Sequence, residues 1–236
     1  MKAFLLAAGL GTRLRPLTDR IPKCLVPIRG VPMLSLWLEV CRRAAIDEVS
    51  INLHMHADAV RRELRRHRGK PQVKLIQEDV LLGSAGTLRC NQAWVEGEQE
   101  FWVLYADVLT NLDLRQMLSH HRRLGPAATL GLYRVKEPSR CGIVQCDEKG
   151  TVVEFEEKPR CPKGNWAFSG VLVGTPELLK AIPPQVPLDL GYSVLPKLVN
   201  RMVGYPISDY LLDIGTMENY QQAQDTWPGF PVEVKV

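Results

Sequence analysis

The chain has 236 residues, 45% hydrophobic and 24% charged, with a formal net charge of +4. That length suits one sizeable α/β domain, and the mild positive balance fits an enzyme of anionic metabolites better than a nucleic-acid binder. No apolar run is long enough to cross a bilayer, and no signal peptide precedes the first strand, so neither a membrane nor export is indicated and the cytoplasm is the expected compartment.

Short apolar strands are expected at 2–8, 49–53, 73–77, 101–105 and 128–133, alternating with helical patterns at 33–44, 57–67, 84–94 and 114–121. This alternation predicts a mainly parallel sheet with crossover helices, and Pro32 and Ser84 sit where helix starts want them. The dense basic cluster Arg61, Arg62, Arg65, Arg66, His67 and Arg68 has no interleaved aromatics for base stacking and reads as a solvated helix face. His54 and His56 lack a third ligand nearby in sequence, and His120-His121 closes a helix, where an imidazolium suits the dipole. After Gly142 the pattern changes: 143–146 and 152–155 flank Asp147-Glu148-Lys149-Gly150, a hairpin signal. A strand at 166–174, a helix opened by Pro176 and helices at 192–201 and 217–226 follow, with strand-like pieces near Val203 and Tyr210 and a weakly specified tail at 227–236. The six cysteines show no C-x-x-C pair or zinc-like spacing and are expected to be reduced structural thiols.

The most informative stretch is 6–28, LAAGLGTRLRPLTDRIPKCLVPI. An apolar strand opens into a glycine-rich loop that delivers Arg13, Arg15 and Lys23 in close succession. Glycines let backbone N–H groups crowd an oxyanion and the cations neutralise it, so the loop is a candidate polyphosphate grip. Leu14 stands where a G-x-G-x-x-G motif has its third glycine, which weakens a dinucleotide reading, and no G-K-[ST] follows, which excludes a P-loop. Arg15 either adds charge or closes the loop by a salt bridge.

Leu6-Ala7-Ala8-Gly9-x-Gly11-Thr12-Arg13 followed by Pro22-Lys23 resembles the signature of the sugar-phosphate nucleotidylyltransferases. Further stations match in order: Gln77-Glu78 with Gly83-Ser84-Ala85-Gly86-Thr87, Tyr105-Ala106-Asp107, Cys141-Gly142-Ile143-Val144, Glu156-Glu157-Lys158-Pro159, and Asp213-Ile214-Gly215-Thr216. Each is weak alone; six in order are specific.

The resemblance implies a three-layer, Rossmann-like nucleotidyltransferase fold with a mostly parallel mixed sheet and a small β-rich sugar-binding lobe. It implies a single domain over 1–236, with 1–135 mainly binding nucleotide and 136–236 mainly sugar phosphate, and no C-terminal β-helix. The implied reaction transfers a nucleotidyl group from an NTP to a sugar 1-phosphate, releasing pyrophosphate. Ala106-Asp107 and the DIGT-x-E-x-Y pattern incline the substrates to GTP and a mannose or heptose 1-phosphate, for capsule or lipopolysaccharide glycans.

By the same resemblance, Arg13, Lys23, Asp107 and Asp213 are catalytic, and the two aspartates hold Mg²⁺. Nucleotide contacts fall to Leu6, Ala7, Ala8, Gly9, Gly11, Thr12, Arg13, Lys23, Gln77, Gly83, Ser84 and Asp107, with Gln77 and the backbone at Gly83 reading the base edge. Sugar-phosphate contacts fall to Gly142, Glu157, Lys158, Ser169 and Gly170. Ala167-Phe168-Ser169-Gly170 departs from the Asn-Ala-Gly of many relatives, which leaves the sugar open. A UTP-dependent enzyme of glucose- or N-acetylmuramate-type 1-phosphates, a cytidylyltransferase, and a catalytically silent sugar-nucleotide-binding subunit remain alternatives, and a homodimer stays open.

Overall fold

In the computed structural model, which describes residues 1–231, the chain threads through thirteen strands and seven helices. These are β1 (Lys2–Leu6), β2 (Pro27–Ile28), β3 (Val31–Pro32), α1 (Met33–Arg43), β4 (Glu48–Leu53), α2 (Ala57–Leu64), β5 (Gln72–Gln77), α3 (Gly83–Cys90), β6 (Phe101–Tyr105) and β7 (Val108–Thr110). The second half adds α4 (Leu114–Leu124), β8 (Ala128–Arg134), β9 (Gly142–Cys146), β10 (Val152–Glu157), β11 (Trp166–Gly174), α5 (Pro176–Lys180), α6 (Leu190–Ser193), β12 (Met202–Pro206), β13 (Leu211–Asp213) and α7 (Met217–Thr226).

Among the described residues nine strands form one sheet. β5, β4, β1 and β6 lie side by side and parallel, as the strand–helix alternation predicts. Such strands are buried on both faces, and Ala3, Phe4 and Leu5 are each no more than 1% exposed. One face is covered by Leu34, Trp37 and Cys41 of α1 and Leu114 and Met117 of α4; the other by Leu88 of α3 and Leu178 of α5. The result is three layers.

The sheet turns antiparallel at β11, which pairs with β6 through 171–174 and with β8 on its other side. The β9–β10 hairpin joins the start of β11 at the pair Ala167 and Ile143, so the second half of the chain continues the same sheet. Its turn forms as expected: Asp147 Oδ1 accepts from the N–H groups of Lys149 and Thr151 at 2.9 and 2.8 Å, and Gly150 takes φ 82°.

Several expectations are corrected. The helix expected at 192–201 is two pieces, α6 and a 3₁₀ turn at Leu195–Leu198, because Pro196 has no N–H to continue it. The helix expected at 57–67 ends at Leu64, after which Arg66 and His67 donate to the carbonyls of Glu63 and Leu64 in tight turns. The β2–β3 hairpin and β7 carried no sequence signal; each is too short to show a period. His121 is buried, its Nδ1 is 2.8 Å from Thr129 Oγ1, and burial pushes it toward the neutral form, so it is not the expected helix-end imidazolium. All six cysteines are free. No helix among the described residues is long and apolar enough to cross a membrane. The end of the weakly specified tail, 232–236, lies outside the described residues.

Candidate active site

β1 pairs with β4 on one side and β6 on the other, so the strand order reverses at β1. In open α/β sheets the ligand crevice lies beyond the carboxyl ends of the strands at such a point. Leu6 is in register with Tyr105, and Ala106 N donates to Leu6 O at 3.0 Å, which brings the glycine loop and Asp107 together. A cleft of roughly 280 Å³ opens there. Of the sequence-predicted residues it is lined by Leu6, Ala7, Ala8, Gly9, Lys23, Gly83, Ser84 and Asp107.

The loop is held by contacts within the chain. Ala7 N donates to Asn52 Oδ1 at 2.7 Å, and Gly11 (φ 64°) starts a 3₁₀ turn over Thr12–Leu14. A Cβ on Gly11 would stand 2.9 Å from Thr18 Cγ2, so glycine is needed for both shape and space. Leu14 is fully buried, which explains the missing third glycine: that position anchors the loop in the core. Arg15 closes the loop onto Asp19 at 3.1 Å.

Four charged side chains converge at the mouth of the cleft. Lys23 Nζ lies 2.6 Å from Asp107 Oδ2. Antiparallel pairing of β7 with β13 sets Asp213 opposite Val108, next to Asp107, and Ile214 N donates to Asp107 O at 2.8 Å. A Cβ on Gly215 would stand 2.6 Å from Asp213 Oδ1 and 3.0 Å from Arg13 Nη2, so this glycine leaves room for the guanidinium beside the carboxylate. Arg140, ion-paired with Glu137 at 2.6 Å, contributes further positive potential at Asp213.

Asp213 Oδ1 is buried and accepts no hydrogen bond. An orphaned carboxylate oxygen beside a second carboxylate is a donor set that suits a hard divalent cation, with water and phosphate completing the shell. Among the described residues no group of three or more acidic, histidine or cysteine side chains could hold a metal by itself. Burial, and then the charge of Asp107, push the Asp213 carboxyl above its ordinary 3.8. The folded state therefore favours the protonated form, so ionised Asp213 destabilises the fold at neutral pH, and this penalty fades as pH falls through the raised value. Asp213→Asn should raise the melting temperature of the metal-free protein at neutral pH, with the gain vanishing in acid. A melting series against pH checks this, and an unchanged or lower neutral value would show that Lys23 and Arg13 already compensate the charge.

The start of α3 is closed. Ala85 N and Gly86 N donate to Leu188 O at 3.0 and 3.2 Å, and Ser84 Oγ both donates to Asp189 Oδ2 at 2.9 Å and accepts from Leu190 N at 2.8 Å. These helix-start donors are thus occupied by the chain itself. Gly83 (φ 76°) is pressed so closely against this strap that an added Cβ would lie 2.3 Å from Leu188 O. Gln77 is exposed and outside the cleft; its Nε2 donates to His54 O at 3.1 Å, and its neighbour Glu78 lines the cleft instead.

On the second half of the site, Glu157 is mostly buried against the Cα atoms of Gly142 and Gly191, where added Cβ atoms would meet its Oε2 at 2.6 and 2.3 Å. Burial pushes the Glu157 carboxyl up, and Lys158, 3.6 Å away, pulls it back. Lys158 has φ 50°, unusual for a side-chain-bearing residue, and its ammonium sits 5.6 Å from the Tyr192 ring centroid. The register shift in β11 between Phe168 and Leu172 contains Ser169 and Gly170. It turns Ser169 inward, with its Oγ accepting from Val171 N at 3.2 Å, while Gly170 (φ 79°) lets Tyr105 pass. The structure thus brings together Arg13, Lys23, Asp107 and Asp213, and Gly142, Glu157 and Lys158 as a second group; Gln77 and the Ser169 hydroxyl face elsewhere. Sequence reasoning missed Asn52, Asp189 and Tyr192, and it set Glu78 in a matching station without assigning it a contact, giving the base to Gln77 instead. Only Asn52, a polar residue inside an apolar strand, offered a signal.

Mannose-1-phosphate guanylyltransferase 1 of Arabidopsis thaliana is 32% identical to this chain, over 93% of this chain and 63% of its own length. UTP–glucose-1-phosphate uridylyltransferase of Synechocystis is 33% identical, over 94% of this chain and 62% of its own. The chain thus spans less than two thirds of either relative. Among solved structures, HddC from Yersinia pseudotuberculosis superposes with a TM-score of 0.81 at 24% identity, covering 96% of this chain and 99% of its own. UDP-glucose pyrophosphorylase complexed with UDP-glucose gives 0.82 at 21%, covering 96% and 97%. These two likenesses establish the shared three-layer fold. The family described as nucleotidyl transferase matches residues 2–228, and the chain belongs to it.

Proposed function

We propose that this protein transfers a nucleotidyl group from GTP to a sugar 1-phosphate of the mannose or heptose type, giving a GDP-sugar and pyrophosphate. The observation that carries this reading is the convergence of Lys23 and Arg13 with Asp107 and Asp213 at the mouth of the cleft. An oxygen of the sugar phosphate attacks the α-phosphorus, the bond from that phosphorus to the bridging oxygen breaks, and pyrophosphate leaves with the electron pair. The attacking oxygen is already ionised at neutral pH, so no general base is needed. What the site must supply is positioning and neutralisation of two polyanions.

Arg13 meets the charge that builds on the leaving pyrophosphate, its fork suiting two phosphate oxygens at once. Lys23, a point charge held in place by Asp107, faces the α-phosphate and the incoming oxygen. Asp107 and Asp213 would hold Mg²⁺, which when bound supplies Lewis-acid neutralisation at the phosphates. Lys158 pairs with the sugar's phosphate and Glu157 accepts from sugar hydroxyls. In this reading residues 1–135 mainly serve the nucleotide and 136–236 the sugar phosphate.

The relative from Synechocystis favours a second reading, a UTP-dependent enzyme of glucose 1-phosphate. A matrix of four NTPs against mannose, heptose and glucose 1-phosphates, with Mg²⁺ and pyrophosphate release as the signal, separates the two. GTP with mannose or heptose 1-phosphate should be fastest. Fastest turnover with UTP would select the second reading, and none with any pair would remove both.

A further inference from the structure

Asp189, half-buried just before α6, is bonded in two directions. Its Oδ2 accepts from Ser84 Oγ at 2.9 Å, on a residue that lines the cleft at the start of α3. Its Oδ1 accepts from Gly191 N at 2.9 Å and so caps α6, while Ser193 N donates to Asp189 O at 3.0 Å. Leu190, next in the chain, is fully buried, and its N–H also donates to Ser84 Oγ, at 2.8 Å. The start of α6 is therefore tied to the nucleotide side of the cleft through Ser84. The same turn forms the wall behind the sugar-side carboxylate. A Cβ on Gly191 would stand 2.3 Å from Glu157 Oε2 and 3.3 Å from Asp189 Oδ1, so both carboxylates reach the same point beside Gly191. The φ of Gly191 lies outside the left-handed region, so the glycine supplies room for Glu157 rather than a special backbone shape.

We propose that Asp189 is a positioning residue that, through the start of α6, holds Glu157 and Lys158 in a fixed relation to the nucleotide side of the cleft. The inference rests on the nucleotidyl-transfer reading for what Glu157 and Lys158 bind, and it adds the group that aims them. Asp189 is itself held by two donors, so of the two neighbouring carboxylates it is the fixed one and Glu157 the one that is steered. Burial is the largest cause pushing the Glu157 carboxyl up; Lys158 pulls it down and Asp189 pushes it up again. Repulsion from Asp189 and attraction to Lys158, 3.6 Å away, turn Glu157 toward the lysine. Tyr192, one residue past Gly191, sets its ring 5.6 Å from the Lys158 ammonium, so the same short helix places the second sugar-side charge. A side chain held in place before its ligand arrives loses less freedom on binding it.

Steady-state kinetics of the full chain with Mg²⁺, GTP and mannose 1-phosphate tests this, or with UTP and glucose 1-phosphate where that pair is the faster. In Asp189→Ser the single hydroxyl oxygen can still cap Gly191 N but cannot also occupy the position that Ser84 Oγ binds. The variant should melt within about 4 °C of wild type. It should raise the KM for the sugar 1-phosphate about tenfold and change kcat and the KM for the NTP by about twofold or less. Glu157→Gln separates aiming from a general packing effect: in that background Asp189→Ser should add about twofold or less, because the group it aims has lost its charge. A sugar KM unchanged in Asp189→Ser, or a double variant showing the full product of the two single effects, would overturn the proposal. Should Asp189→Ser not fold, Gly191→Ala decides. Its Cβ meets the movable end of Glu157 rather than backbone, and it should raise the sugar KM about tenfold while sparing the NTP. An unchanged sugar KM there overturns the assignment. Absence of turnover with every pair sinks nucleotidyl transfer itself, whereas turnover with an intact sugar KM in these variants sinks only the role of Asp189.

Discussion

Asp107→Asn is expected to lower pyrophosphate release by on the order of 10² or more at saturating substrates while leaving the fold intact. The carboxylate of Asp107 has two neighbours of opposite sign, Lys23 at 2.6 Å and the adjacent Asp213. Neutralising it releases Asp213 from like-charge repulsion and leaves Lys23 without its partner, so the two effects on stability oppose each other. Catalysis has no such offset. The reaction brings two polyanions together, and losing one group from a preorganised charge-stabilising site typically costs about 3–4 kcal/mol of transition-state stabilisation. Activity assays paired with thermal melting check both halves. Full activity in the variant would show that Asp107 is not a metal-holding residue.

The second large effect concerns stability. Gly83→Ala should destabilise the protein by about 3 kcal/mol or more, lowering the melting temperature by about 6–12 °C for a domain of this size. A left-handed φ of 76° costs a residue with a Cβ about 1–2 kcal/mol. The added carbon would also lie 2.3 Å from Leu188 O, a backbone atom that cannot swing aside. Moving that strap breaks the bonds that Leu188 O accepts from Ala85 N and Gly86 N and strains the Ser84–Asp189 pair. Gly97→Ala is the control, since Gly97 has φ 84° with nothing within 4 Å of its would-be Cβ. It should show the backbone cost alone. Equal melting shifts for the two variants would mean that the strap does not close the start of α3 as described.

Much of the fold was legible because its signals are local. The strands Phe101–Tyr105 and Trp166–Gly174 and the helix Met217–Thr226 match their expected bounds, the two strands being apolar runs with clear punctuation. Where a local rule met a stronger one, the bounds moved, as at Pro196. The short pairings were invisible for a different reason. β7 and β13 have three residues each; a strand-like piece was expected near Tyr210, but β7 had no signal and nothing local set it against β13.

The same division runs through the site. The glycine-rich loop, its cations and the aspartate after β6 follow from the sequence by itself, because strand, loop and charge are contiguous there. That Asp213, more than a hundred positions further on, stands beside Asp107 was decided only by the β7–β13 pairing. Tertiary structure alone also sealed the start of α3 with Leu188, turned Ser169 into the sheet, and exchanged Gln77 for Glu78 in the cleft wall. Side chains of adjacent residues point in different directions, and which of them meets a cavity depends on partners distant in the chain. Sequence therefore specified which charges the site contains; packing decided which atoms face one another.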